Sequence, residues 1–153
     1  MLRRGLAATA LVGALAVTFS GCGVPGVVTS QSCIDWVYFE TPADAAAEAS
    51  AVALGSVTGQ SGSTQYEGMA ANIWTVEVVE WLKGGGGDSI DVVSLPRSCG
   101  DSSDSMAQFE LDDSVVLFLR STGNGWEGIT PWQQVTAAED GTFPEAWPDD
   151  LYD

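Results

Sequence analysis

Three features of the sequence predict a mainly β fold: a small five-stranded barrel with one short N-terminal helix, preceded by a cleaved signal peptide. The first is composition. Eighteen glycines together with frequent Val, Trp and Ile favour strands joined by turns over a helical bundle. The second is the segment Trp74–Trp81, where Trp74, Val76 and Val78 alternate with Thr75 and Glu77, the period of a half-buried strand. The third is the order of segments, one helical stretch followed by several strand-like ones.

Residues 1–21 have the layout of an export signal. Met1-Leu2-Arg3-Arg4 is a basic start, Gly5 to Phe19 is an uncharged stretch of 15 residues, and Ser20-Gly21 puts two small residues before Cys22. A membrane-spanning helix needs about 20 apolar residues, so this segment reads as a signal to be cleaved and not as an anchor. Phe19-Ser20-Gly21-Cys22 resembles the bacterial lipobox, which implies a diacylglycerol on the Cys22 thiol and cleavage that leaves Cys22 as the first residue. The alternative is an ordinary signal peptide cut nearby, with Cys22 left unmodified. Arg3-Arg4 alone does not separate the general from the twin-arginine export route.

Charge limits the partners. After residue 21 the chain keeps three basic side chains, Lys83, Arg97 and Arg120, against 21 acidic ones, a side-chain charge of −18 over 132 residues. Nucleic-acid binding needs a basic patch to neutralise phosphates, and this chain has none to offer. Anionic lipid headgroups repel it as well, which leaves the acyl anchor as its hold on the membrane. Such acidity serves solubility and non-adhesion, or else a cationic partner or divalent metal.

The length suits one domain, and the apolar content is too high for disorder. Residues 22–32 form a lipidated N-terminus and a small-residue tether; ten extended residues reach at most about 35 Å. Thr41-Pro42-Ala43-Asp44 is a helix start, with Thr41 as cap, Pro42 at the first helical position and Asp44 completing a capping-box pattern. The alanine-rich run to Ala51 predicts two to three turns, passing into a short strand at Val52–Thr58. Gly59–Gly68 reads as a polar loop. In Trp74–Trp81, the adjacent Val78 and Val79 shift the alternation as a bulge does.

Four glycines follow Lys83, then a strand from Ser89 to Leu95. The Gly84–Gly87 run lacks the G-K-[ST] ending of a phosphate loop and any following helix, so it reads as a flexible tip. Ser114–Leu119 is a continuous apolar strand suited to a buried position. Gly123-Asn124-Gly125 is a hairpin turn leading into Trp126–Thr130. A last short pair flanks Glu139-Asp140-Gly141, and residues 144–153 form an acidic, loosely ordered tail.

With Cys22 lipidated, Cys33 and Cys99 remain, and an even pair in an exported protein reads as a disulfide. Two free thiols or a redox pair are the alternatives, although no CxxC is present. Over residues 33–143 the chain resembles bacterial members of the netrin-like, tissue-inhibitor-of-metalloproteinase-like group. The resemblance rests on Cys33 near the mature start, the helix running into Val52-Ala53-Leu54-Gly55-Ser56-Val57, the strand Trp74-Thr75-Val76-Glu77-Val78-Val79-Glu80-Trp81-Leu82-Lys83-Gly84, the pair Cys99-Gly100, and Ser114–Leu119. It implies an OB-like barrel and a Cys33–Cys99 bond. It does not carry over the zinc-chelating mechanism, since Ser32 precedes Cys33 and no free terminal amine stands there.

No residue set points to catalysis. The sequence has no histidine, the usual proton-transfer group, and Lys83 borders the glycine run. Asp101, Asp104, Glu110, Asp112 and Asp113 crowd one segment in a composition calcium favours, but without EF-hand spacing they read as a solvated acidic loop. Of six tryptophans, Trp132 and Trp147 lie beside Pro131 and Pro148 in loop-like contexts, which makes them the candidates for an exposed binding surface. The expectation is therefore a binding module without cofactor or metal, held on the extracytoplasmic face of a bacterial membrane. Its ligand is an unknown protein or envelope component. Inhibition or regulation of a surface enzyme, and a calcium-responsive or structural role, are the alternatives.

Overall fold

The computed structural model describes residues 33–151; the expected signal peptide, Cys22 and the expected tether lie outside the described residues. Helix α1 (Pro42–Glu48) starts as its sequence requires. The Thr41 hydroxyl accepts from the Asp44 N–H at 3.2 Å while the Asp44 carboxylate accepts from the Thr41 N–H at 3.1 Å, so two otherwise orphaned donors are satisfied reciprocally. The helix is shorter than the alanine run suggests. Ala49 is already extended, and the Ser50 N–H bonds to the Leu119 carbonyl at 2.8 Å, which hands Ala51 to the first strand.

Six strands follow: β1 (Ala51–Tyr66), β2 (Met69–Lys83), β3 (Ser89–Val93), β4 (Val115–Thr122), β5 (Gly125–Gly128) and β6 (Val135–Ala137). Their order is β1-β2-β3-β5-β4, and β1 pairs with β4 to close the ring, which makes a five-stranded OB-like barrel. The β3–β5 contact is parallel and the other pairings are antiparallel. β6 joins β4 at Val115–Leu117, so the final strand pairs back into the barrel. The expected local pair around Glu139-Asp140-Gly141 is reduced to one bridge, Glu139 to Thr142.

β4 explains its own unbroken apolar sequence, because both of its faces are covered. Val115, Leu117 and Leu119 point into the barrel with Ala53, Val76 and Val92. Val116 and Phe118 point outward into a second core made with Ala45, Val52, Leu54 and Ile129, which Phe39, Phe143 and Trp147 cover.

The expected bulge is present. Pairing steps from Gly55–Val78 to Leu54–Glu80, leaving Val79 without a partner and 79% exposed. Gly55 is required at this crossing, since a Cβ there would collide with the Glu77 carbonyl.

The expected polar loop at Gly59–Gly68 is a strand instead. β1 runs on to Tyr66 and pairs with Met69–Thr75, and the turn is only Glu67-Gly68, with φ of 47° and 82°, as a two-residue hairpin demands. Beyond Val57 most of this ribbon is exposed or half-exposed. Ser, Thr and Gln therefore suffice on both faces, and no apolar alternation marks the strand. The glycine tip is also less free than its composition suggests. Gly86 lies against the Trp81 ring, where a Cβ would come within 2.7 Å, and the Val78 N–H bonds the Asp88 carbonyl at 2.7 Å.

Candidate functional site

The described residues form a cleft of about 650 Å³ where β2 and β3 part and the segment after the disulfide closes over. Asp104, the N-cap of a 3-10 turn at Ser105–Gln108, organises its floor. One carboxylate oxygen accepts from Asn72 Nδ2 at 2.7 Å and from Trp74 Nε1 at 2.9 Å. The other accepts from Ser94 Oγ at 2.6 Å and from the Met106 N–H at 3.0 Å. Behind it, buried Gln134 donates to Ser94 Oγ at 2.9 Å and Ser105 Oγ at 2.7 Å, and accepts from the Leu95 N–H at 2.9 Å. Asp104, Ser94 and Gln134 are thus each tied to several partners, so the network fixes this wall of the cleft instead of leaving it adaptable.

The rim is acidic. Asp101 accepts from the Ser103 hydroxyl and, at 2.8 Å, from the Ser103 N–H. These bonds, with help from Arg97 at 3.5 Å, hold its carboxyl below the usual range. Arg97 in turn lies over the Trp132 ring, 5.4 Å from its centre, and Trp132 packs on Tyr38 with ring centres 5.3 Å apart. Trp147 flanks the same N-terminal segment: its indole N–H donates to the Phe39 carbonyl at 3.0 Å and its ring lies 5.3 Å from Phe118.

The two tryptophans singled out from sequence are thus brought to one segment, Tyr38–Phe39. Both are half-buried, and the expectation of free exposure is corrected: Trp147 covers the outer core, and Trp132 is held between Tyr38 and Arg97. The exposed apolar side chains nearby are Val37 at 64% and Tyr38 at 54%. The start of the acidic tail is likewise docked through Trp147.

Cys33 and Cys99 are bonded, their Cα atoms 4.7 Å apart. Lys83 donates to the Ala46 and Ala47 carbonyls at 2.8 Å each, closing the C-terminus of α1 where a cation is favoured. Arg120 donates to the Ile129 carbonyl at 2.9 Å and stands 3.6 Å from Glu127. Burial pushes the Glu127 carboxyl up in spite of that neighbour. All three cations of the described domain are therefore engaged internally.

The acidic segment does not converge. Asp104 faces inward, Asp101 is held by Ser103, and Asp113 accepts from the Glu110 N–H at 2.8 Å. Among the described residues no three His, Cys, Asp or Glu side chains stand close enough to share a metal ion. Sequence reasoning missed Asn72, Ser94 and Gln134. Their signal was a polar residue just outside or between strand ends, next to positions whose strand phase points inward.

Fold and site together define a small OB-like barrel with one disulfide and an acidic-rimmed cleft. Comparison with protein-family models, curated proteins and solved structures finds no match. Among the described residues no helix is long and apolar enough to cross a membrane.

Proposed function

We propose that this protein is a lipid-anchored extracytoplasmic binding module whose ligand is another protein. The observation that carries the reading is the cleft itself, a rigid recess with an acidic rim and a floor whose polar side chains are already satisfied. Asp104 accepts four hydrogen bonds, so it has no lone pair left to act as a base. The sequence contains no histidine, and Lys83 is tied to a helix end. These groups recognise and do not transform. The Cys33–Cys99 bond supports both an oxidising location and the netrin-like reading, which remains part of the proposal.

Cross-linking on intact cells tests the function. The wild-type protein should capture a discrete envelope protein, and Cys22→Ser should lose that partner along with its place at the membrane. Capture unaffected by chelator speaks for protein recognition, and capture only with added calcium speaks against it. If the partner is a peptidase, assay of its activity with and without this domain separates an inhibitor from a neutral binder.

A further inference from the structure

The edge of β2 that borders the cleft is an unfilled strand position. In the β1–β2 hairpin the closing pair is Tyr66–Met69, followed by Gln65–Ala70, Thr64–Ala71 and Ser63–Asn72. Antiparallel pairs exchange their peptide hydrogen bonds alternately, so with a two-residue turn Met69, Ala71 and Ile73 direct their N–H and C=O groups to β1. Ala70 and Asn72 direct theirs the other way. That direction is confirmed at Asn72, whose carbonyl accepts from the Ser94 N–H at 2.9 Å. The β2–β3 ladder ends at Ile73–Val93, and the next residue that would face Ala70 in this register is Pro96, which has no N–H to give the Ala70 carbonyl. The N–H and C=O of Ala70 and the N–H of Asn72 are left facing the cleft with no strand beside them, and Ala70 is exposed.

Open strand edges pair readily with an added strand. The cleft supplies the room, and its far wall is formed by Pro96, Arg97 and residues 100–104. Glu67 at the hairpin tip and Asp101 in the other wall are exposed carboxylates lining the cleft. The only cation in the lining, Arg97, is spent on Trp132 and Asp101. With a mature side-chain charge of −18, the complementary occupant is positively charged.

We infer that the Ala70–Asn72 edge of β2 receives an extended, lysine- or arginine-bearing peptide segment of the partner, which continues the line of β3. The peptide backbone pairs with Ala70 and Asn72, and its basic side chains reach Glu67 and Asp101. This rests on the protein-binding reading above and specifies where and what it binds. The disulfide adds a location. Cys33, where the tether ends, is bonded to Cys99 beside Gly100 in the cleft wall. On the lipid-anchor reading the cleft stands within a short tether of the bilayer, in reach of juxtamembrane segments.

The test uses the full-length exported chain purified in detergent and a short peptide alternating lysine with valine as probe. The amides of Ala70 and Asn72 should exchange quickly in the free protein and become protected at least about tenfold when the peptide is added. A peptide with glutamate in place of lysine, or with N-methylated alternate residues, should not protect them. Ala70→Pro removes the cleft-facing N–H without touching the β1 ladder, where proline is tolerated at an edge, and should weaken binding by about tenfold or more. Glu67→Lys with Asp101→Lys should do the same while leaving the backbone intact, which covers the case of a misfolded proline variant.

Several results would overturn the inference. These are no protection by the lysine peptide, protection already present in the free chain, equal protection by the glutamate peptide, or binding unchanged in both variants. Dimerisation abolished by Ala70→Pro would assign the edge to a second copy and overturn it too. Partner capture from cells that survives in Ala70→Pro would leave the binding-module reading standing and remove this site alone, whereas loss of all capture by the wild type removes both.

Discussion

The Trp74 indole N–H donates to Asp104 at 2.9 Å, joining the middle of β2 to the segment that closes the cleft. The bond makes a strand tryptophan part of the cleft's support. Asp104 gathers Asn72, Trp74, Ser94 and Met106 at once, so its removal leaves four donors without their acceptor. Asp104→Ala should cost about 2–4 kcal/mol, since stranded buried donors lose more than the bonds themselves contribute. Urea unfolding of the variant checks this. Asp104→Asn should recover only part, because its amide nitrogen presents donors to donors.

Reduction of Cys33–Cys99 should lower stability by up to about 4 kcal/mol on the chain-entropy model, given a separation of 66 residues. Unfolding midpoints with and without a dithiol reductant measure it. Two titratable thiols in the native, unreduced protein would contradict the bond.

Trp147→Ala and Trp132→Ala should now separate. Trp147 covers the outer core at Phe118 and bonds the Phe39 carbonyl, so its loss should destabilise by about 2–3 kcal/mol, somewhat less than a fully buried tryptophan. Trp132 stacks between Tyr38 and Arg97, nearer the cleft, and its loss should weaken partner capture with a smaller effect on melting. Melting curves and capture measured side by side for each variant decide the matter. Equal destabilisation by both would place Trp132 in the fold alone.

Glu127 gives a pH signature. Burial raises its carboxyl above the ordinary glutamate value of about 4.5, so the folded state favours the protonated form. That contribution is full below pH 4.5 and is lost as pH rises through the raised value. Glu127→Gln should therefore gain stability relative to wild type at neutral pH, and the difference should vanish below pH 4.5. Thermal melts across that range check the sign; a variant less stable at neutral pH would mean that the Arg120 pair outweighs burial.

How much of this was legible in sequence follows from burial. β4 and the first half of β1 are apolar because both faces are covered, and the bulge at Val79 left its mark as two adjacent valines. The helix announced itself through Thr41 and Asp44. The outer half of β1 left no mark, since a ribbon with much of both faces open to water needs no pattern. The cleft was equally silent. Its makers, Asn72, Ser94, Asp104 and Gln134, come from four separate segments, and only the closing of the barrel brings them together. Trp132 and Trp147 were legible as a pair of loop aromatics, but their packing against Tyr38 and Phe118 depends on where the N-terminal segment lies.

The anchoring proposed above, a lipid on Cys22 that holds this barrel at the membrane, is open to one direct experiment. Mass spectrometry of the mature N-terminus tests it most directly. The expected product is a chain that begins at Cys22 and carries diacylglycerol on its thiol. A mature chain beginning at another residue, or an unmodified Cys22, would contradict it.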